Sequence, residues 1–356
     1  MHTTTMPIPI SFAPLDTLPA VIRTGGVEAD RCLVVTDEHV AALYGDAVCN
    51  HLARNEFEPL LIVLPPGEES KSQHRLAEIC DRALAWGIER STPLVALGGG
   101  VIGDLAGFAA ATLLRGIPFF QVPTTLIAQV DSSIGGKTGI NHETGKNLIG
   151  AFYRPAGILT DPALLKSLPT REWTSGLAEV IKHGLIADDT LFTALETQID
   201  ALFGRNEPVV ERIVPHAAGV KVRIVDEDEF ETGLRTILNF GHTFAHAIEK
   251  VAGYGVYTHG EAVAAGMRAA LYVSEHTTPG FDAERADRIV RRIPVPPGLA
   301  SLSIADLMDT MKLDKKVRRG NVRLVLLDRI GHAFVTGDIP STLVEKAWAF
   351  VQEAIG

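Results

Sequence analysis

Short apolar runs and helical repeats alternate along the first half of the chain. "CLVVT" (32–36), "LLIVL" (60–64), "PLVAL" (93–97) and "FFQVP" (119–123) have the length and continuity of buried strands. Between them, "EHVAALYGDAVCNHLA" and "KSQHRLAEICDRALAWG" repeat apolar residues at the helical period. This alternation predicts a largely parallel, Rossmann-like sheet with helices on its faces. From about Pro162 the strand runs nearly vanish. Helical patterns replace them: "REWTSGLAEVIKHGLIA", "DTLFTALETQIDALFG", "RTILNFGHTFAHAIEKVAG" and "GEAVAAGMRAALYVSEH", with one late strand-like run, "VRLVLLDRI". The expected architecture is an α/β N-terminal domain over 1–165 and a mostly α-helical C-terminal domain over 166–356. The boundary is placed near 160–168, and no internal repeat or low-complexity tract interrupts either part.

Composition narrows the class. The chain has 356 residues, 46% hydrophobic and 21% charged, as in an ordinary globular protein. A net charge of -10 argues against general binding to nucleic acid or to an anionic membrane. An anionic substrate would then need a locally basic pocket. Cys32, Cys49 and Cys80 lack metal-binding spacing and read as reduced thiols. With no basic-plus-apolar leader and no run of 18 apolar residues, the expected compartment is the cytoplasm.

Two glycine-rich stretches carry candidate chemistry. "GGGVIGD" (98–104) follows the strand "PLVAL" and opens a helix, fitting G-x-G-x-x-G through Gly98, Gly100 and Gly103. The acidic residue expected about twenty positions on is missing; Asp37, at the end of "CLVVT", is the alternative partner for a ribose hydroxyl. A tight structural turn is the competing explanation. "DSSIGGKTGINHETGKNLIG" (131–150) contains "GGKT", but a P-loop would need glycine where Asp131 stands. What remains is Asp131, Lys137, Lys146 and Asn147 among glycines, suited to gripping a small polyhydroxylated anion. A merely solvated loop would leave those glycines unexplained.

"NFGHTFAHAIE" (239–249) sets His242 and His246 four residues apart, on one helical face. Neutral imidazoles are common ligands of zinc and cobalt. "YTHGEAV" adds His259 before another helix. Helical histidines are often packing or surface residues, and spacing alone leaves Glu179, Glu249 and Glu261 as competing carboxylates.

Seven blocks in order resemble one known family: "GGGVIGDLAGFAAATLLRGI", "QVPTTLIAQVDSSIGGKTGIN", "GKNLIGAFYRP", "LAEVIKHGLI", "LNFGHTFAHAIE", "HGEAVAAGM" and "DKKVRRGNVRLVLL". Across roughly 30–330 the chain is similar to 3-dehydroquinate synthases, within the sugar-phosphate cyclase superfamily. The resemblance implies one divalent metal, Zn2+ or Co2+, on Glu179, His242 and His259, with His246 one turn away facing substrate. It implies substrate contacts from Asp131, Lys137, Asn147, Lys182, Lys221, Arg235, Asn239, His246 and Lys315, whose cations would offset carboxylate and phosphate. Arg115 would reach the phosphate pocket of a neighbouring subunit, implying a homodimer. NAD would lie against Asp37, Glu68, Lys71, Gly99, Gly100, Asp104, Thr124 and Thr125, with Lys146 and Glu172 of "SLPTRE" closing around it. His183 departs from the tyrosine the family often carries.

The implied activity is that of a carbon–oxygen lyase acting on a sugar phosphate. NAD transiently oxidises 3-deoxy-D-arabino-heptulosonate 7-phosphate, phosphate is eliminated, the hydride returns, and an intramolecular aldol step gives 3-dehydroquinate. The cleft between the domains is expected to close over substrate. Two alternatives compete: another sugar-phosphate cyclase, and a metal-dependent polyol dehydrogenase, which would yield net NADH. No nucleic-acid or membrane partner is expected.

Overall fold

The computed structural model describes residues 8–313 and 323–355, which fall into two compact units, one ending at Leu168 and the other starting at Pro169. Lys315 lies outside the described residues.

The first unit is built on a six-stranded sheet in the order β1-β8-β5-β4-β2-β3, every pairing parallel. Its strands are β1 (Ile10–Phe12), β2 (Arg31–Asp37), β3 (Glu58–Leu64), β4 (Leu94–Gly98), β5 (Phe119–Pro123) and β8 (Gly157–Thr160). Helices cover both faces: α1 (Leu18–Thr24), the single turn α2 (Glu38–Val40), α3 (Asp46–Arg54), α4 (Gln73–Trp86) and α5 (Gly100–Thr112). Successive side chains of a strand point to opposite faces. Leu33 and Val35 of β2 therefore join Ile79, Ala83, Leu105 and Ala109 of α4 and α5. Cys32 and Val34 join Leu18, Ile22, Val48 and Leu52 of α1 and α3 on the other side. Burial on both faces is why the central strands read as unbroken apolar runs rather than alternating ones.

The glycine-rich segment after β5 is more ordered than a loop. It passes through a wide helical turn, Ala128–Ser132, into an antiparallel hairpin of β6 (Lys137–His142) and β7 (Gly145–Phe152).

The second unit is mostly helical, as expected. It contains α6 (Thr170–Ala187), α7 (Asp189–Phe203), α8 (Glu207–Glu227), α9 (His242–Ala252), α10 (His259–Thr277), α11 (Ala283–Val290), α12 (Ile304–Leu313) and α13 (Ser341–Ile355). A two-stranded sheet of β9 (Leu324–Arg329) and β10 (His332–Thr336) covers the late strand-like run. α10 is the hub, packing on α6, α9, α11, α13 and β9. It and α6 are buried almost all round, as a helix must be when neighbours surround it.

Two features differ from the sequence expectation. The stretch "RTILN" is a 3-10 turn, Leu234–Asn239, and the α-helix starts only at His242. Gly241 causes the break, with a left-handed φ of +78° that resets the chain direction. α8 was not legible because Pro215 lies inside it, and proline normally ends a helix. Among the described residues no helix is long and apolar enough to cross a membrane.

Candidate metal centre and nucleotide turn

In the second unit, three helices deliver one residue each to a common point. Glu179 comes from the middle of α6 and is fully buried. His242 and His259 are the first residues of α9 and α10. His259 Nε2 lies 3.4 Å and His242 Nε2 3.7 Å from Glu179 Oε1. The two imidazole rings sit 5.1 Å apart.

Close backbone approach makes this convergence possible. A Cβ on Gly260 would collide with the backbone of Ser175 on α6, so only glycine lets the start of α10 reach that helix. The Gly260 N–H donates to Ser175 Oγ at 2.9 Å. At Gly241, a Cβ would stand 2.8 Å from Met267 N of α10, so glycine meets both the close contact and the positive φ.

The start of α10 is further fixed by a capping box. Thr258 Oγ1 accepts from Glu261 N at 3.3 Å, and Glu261 Oε2 accepts from Thr258 N at 2.8 Å. Arg171 grips the same carboxylate with two bonds of 2.9 and 2.8 Å. Glu261 is thus occupied structurally, and its carboxyl is drawn below the usual carboxylate range: burial opposes this, but the Arg171 and Thr258 donors outweigh it. Glu249 stands behind His259, with its Oε1 3.9 Å from Nδ1. Of the three competing carboxylates, Glu179 is the one grouped with both imidazoles.

The tautomers follow from the neighbours. His242 Nδ1 faces the Phe240 carbonyl at 3.2 Å, and a carbonyl can only accept, so Nδ1 carries the proton and Nε2 presents a lone pair. Burial, then Lys182, hold His242 well below the ordinary imidazole range. His259 goes the other way: burial disfavours its charge, but Glu179 and Glu249 push it up to about 10. His246 lies beside His242, ring centres 5.8 Å apart and perpendicular, but is exposed and outside the group of ligand atoms.

The donor set fits a divalent ion. One carboxylate oxygen and two imidazole nitrogens all lie within 4.8 Å of one another. Metal–ligand bonds of about 2.0–2.2 Å in a tetrahedral site put neighbouring donors roughly 3.3–3.6 Å apart, close to the spacing here. Around this group the unit buries cations. Lys182, one turn along α6, pairs with Glu179 and is buried, as are Lys221 of α8 and Arg235 of the 3-10 turn. α6, α8 and that turn pack on one another. Arg235 donates to the Glu229 carbonyl, and Asn239 Nδ2 donates to Glu231 Oε1 at 2.7 Å. Glu172 is exposed on the first turn of α6.

The first unit holds a different kind of site. The chain runs from β2 to β3 on one side, and β4 lies on the other side of β2, so strand order reverses there. Ligands of open α/β sheets bind at the carboxyl ends of strands beside such a reversal. Asp37 ends β2, where it caps α2 by accepting from His39 N and Val40 N. Gly98 ends β4, Gly99 is the N-cap of α5 and Gly100 its first residue. No side chain caps this helix, so its leading N–H groups are left without a side-chain acceptor, as an anion-binding turn requires. A Cβ on Gly99 would stand 3.0 Å from Thr125 Cγ2, and Thr124 N donates to Gly98 O at 3.0 Å. Lys71 Nζ bonds Asp104 Oδ2 at 2.7 Å and also donates to Asn147 Oδ1. Lys71 joins Asn147, expected at substrate, to the residues expected at cofactor. Lys146 is part-buried beside it, Asp131 sits in the wide turn, and Lys137 is exposed at the start of β6. Arg115 is exposed after a left-handed pair, Leu114 (φ +49°) and Arg115 (φ +67°).

Sequence reasoning missed Arg171 and Asn141. The pattern Thr258-x-x-Glu261 was an available signal that Glu261 is occupied as a capping box, though it does not name Arg171 as its partner. Asn141 carried no such signal.

Comparison with known proteins places this architecture. A 2-epi-5-epi-valiolone synthase from Streptomyces hygroscopicus subsp. jinggangensis, solved with NAD+ and Zn2+ bound, superposes with a TM-score of 0.88 at 28% identity, covering 99% of each chain. A 2-deoxy-scyllo-inosose synthase, solved with carbaglucose-6-phosphate, NAD+ and Co2+, gives a TM-score of 0.84 at 26% identity, covering 97% of this chain and 96% of that one. The class is therefore that of synthases related to these two, both solved with NAD+ and a divalent metal bound. Residues 61–175 match the 3-dehydroquinate synthase N-terminal family and residues 176–317 its C-terminal family. A 3-dehydroquinate synthase of Salinibacter ruber is 52% identical over 343 residues, covering 96% of this chain and 94% of that protein. The chain belongs to the 3-dehydroquinate synthase family.

Proposed function

We propose that the chain catalyses the 3-dehydroquinate synthase reaction, converting 3-deoxy-D-arabino-heptulosonate 7-phosphate to 3-dehydroquinate and phosphate. The observation that carries this reading is the pairing, in one unit, of the Glu179–His242–His259 group with three buried cations, Lys182, Lys221 and Arg235. Three cations gathered in one unit of an acidic chain suit an anionic substrate, since each can add charge-assisted bonds to a carboxylate or phosphate. A polyol dehydrogenase has no carboxylate or phosphate to bind and no need of that set. Family membership over nearly the whole chain points the same way.

In this reading NAD takes its contacts from Asp37, Glu68, Lys71, Gly99, Gly100, Asp104, Thr124, Thr125, Lys146 and Glu172. The second domain holds one divalent ion, Zn2+ or Co2+, on Glu179, His242 and His259. When bound, these groups supply reversible hydride acceptance and Lewis acidity. The chain's own residues position substrate and steady its charge. Lys182, Lys221, Arg235 and Lys315 offset carboxylate and phosphate, while Asp131, Lys137, Asn147, Asn239 and His246 orient the polyol by hydrogen bonds. The enzyme works in the cytoplasm.

The test is substrate choice. The purified, metal-loaded chain should release phosphate from the heptulosonate phosphate and form 3-dehydroquinate. Turnover of a heptulose phosphate lacking the carboxylate, with none of the heptulosonate, would place the chain among the other cyclases instead. We further propose a homodimer in which Arg115 serves the partner's phosphate pocket, as a guanidinium fork suits. Mixing Arg115→Ala subunits with subunits inactivated at Lys137 should restore activity, since one of the two sites in a mixed dimer is then intact. No recovery, in a mixture shown to exchange subunits, would contradict the shared site.

A further inference from the structure

One polar residue beside the nucleotide turn has no part in the reading above. Asn141 is the penultimate residue of β6, and three of its hydrogen-bonding groups go to two different segments. Its backbone N–H donates to the Lys71 carbonyl at 2.8 Å. Its Nδ2 donates to Glu68 Oε1 at 2.8 Å. Its Oδ1 accepts from the backbone N–H of Asn147 at 2.9 Å. The amide orientation is forced, because a carboxylate only accepts and an N–H only donates.

Two further features mark this as a built connection. The regular pairing of β6 with β7 breaks between Ile140 and His142, so Asn141 is turned out of the ladder toward Glu68 and Lys71. Asn147, at the other end of the bond, is held at φ +56°, a conformation asparagine tolerates but does not favour. The loop closes through Lys71, whose buried ammonium reaches both Asn147 Oδ1 and Asp104 Oδ2. A hairpin needing only shape would be satisfied by its own ladder.

We propose that Asn141 is a positioning residue. It ties the Glu68–Lys71 segment to the arm bearing Lys146 and Asn147, so that a dinucleotide seated on the segment sets the arm for the sugar phosphate. This rests on the assignment of NAD to that segment. Asn141 acts through Asn147 and does not itself touch the reacting atoms.

The test uses amide hydrogen exchange over 143–148 in the full, metal-loaded chain, with and without NAD, which needs no turnover. In the wild type NAD should slow exchange at the Asn147 amide about tenfold or more. Asn141→Asp sets a carboxylate against Glu68 and should abolish this slowing, while NAD still binds within about tenfold of wild type. Glu68→Gln alone, measured at NAD concentrations that saturate that variant, should keep the effect, because its amide oxygen can still accept from Asn141. Asn141→Asp combined with Glu68→Gln should restore it, because the new amide can donate to the new carboxylate. An asparagine that only stabilised the hairpin would change protection at amide 147 equally with and without NAD. Equal slowing in wild type and Asn141→Asp, or a double variant no better than Asn141→Asp, overturns the proposal. NAD binding with no change at amide 147 in the wild type overturns it alone. No NAD binding by calorimetry overturns the functional reading as well.

Discussion

In the first unit the frame of the candidate cofactor site is backbone, namely the uncapped start of α5, the ends of β2 and β4 and close-packed glycines, to which side chains such as Asp37 and Lys71 are added. In the second the frame is side chains, buried and charged, projected from helices that two glycines allow to touch. The difference follows from the ligands each would hold. A dinucleotide is long and is met by many weak, neutral donors along a strand-end edge. A metal ion is small and needs a few basic atoms within bonding distance of one point. The first site therefore tolerates loss of any one contact better than the second.

The largest effect should come from breaking the side-chain site. His242→Ala should abolish metal binding and lower activity by about a thousandfold or more, with NAD affinity unchanged. Elemental analysis showing full occupancy would mean that His242 is not a ligand. A smaller effect is expected at the backbone site. Gly99→Ala adds a Cβ 3.0 Å from Thr125 Cγ2 and should raise the NAD dissociation constant by about tenfold, with metal content intact. Equal damage to metal binding would erase the contrast between the two sites.

The sequence carried the first unit's frame and hid parts of the second. β2 to β5 and their helices were legible because apolar periodicity is set by burial, which is local to each element. β1 and β8 were not, at three and four residues. α8 was obscured by Pro215, and the β6–β7 hairpin by its glycines and polar residues. At the candidate metal centre, the i,i+4 rule pointed to His242 and His246, whereas the grouped imidazoles are His242 and His259, from two helices. Helical spacing reports which residues share a face; it cannot report which faces meet. Spacing alone left Glu179, Glu249 and Glu261 open; the family resemblance selected Glu179, and the capping box and Arg171 show how Glu261 is otherwise occupied.

The smallest effect is expected away from both sites. Asp188 caps α7 by accepting from Leu191 N at 2.8 Å, and its other oxygen takes Arg223 and His216. Burial opposes its charge, but these donors prevail and hold its carboxyl below the usual range. Its folded pKa is therefore depressed, so its contribution is full above the unfolded value, near 4, and fades as pH falls through the lower folded one. Asp188→Asn should cost about 1 kcal/mol at pH 7, with activity unchanged, and the gap to wild type should close in acid. Urea midpoints that differ equally at neutral and acid pH would show that charge is not the cause.

The central claim is that a dinucleotide site and a metal-and-anion site serve one redox-neutral reaction. Phosphate release and NADH absorbance, followed together with NAD far below the heptulosonate phosphate, test it most directly. The account predicts many equivalents of phosphate per NAD with no accumulating NADH. One NADH for each turnover, ending when NAD is exhausted, would contradict it and identify a dehydrogenase.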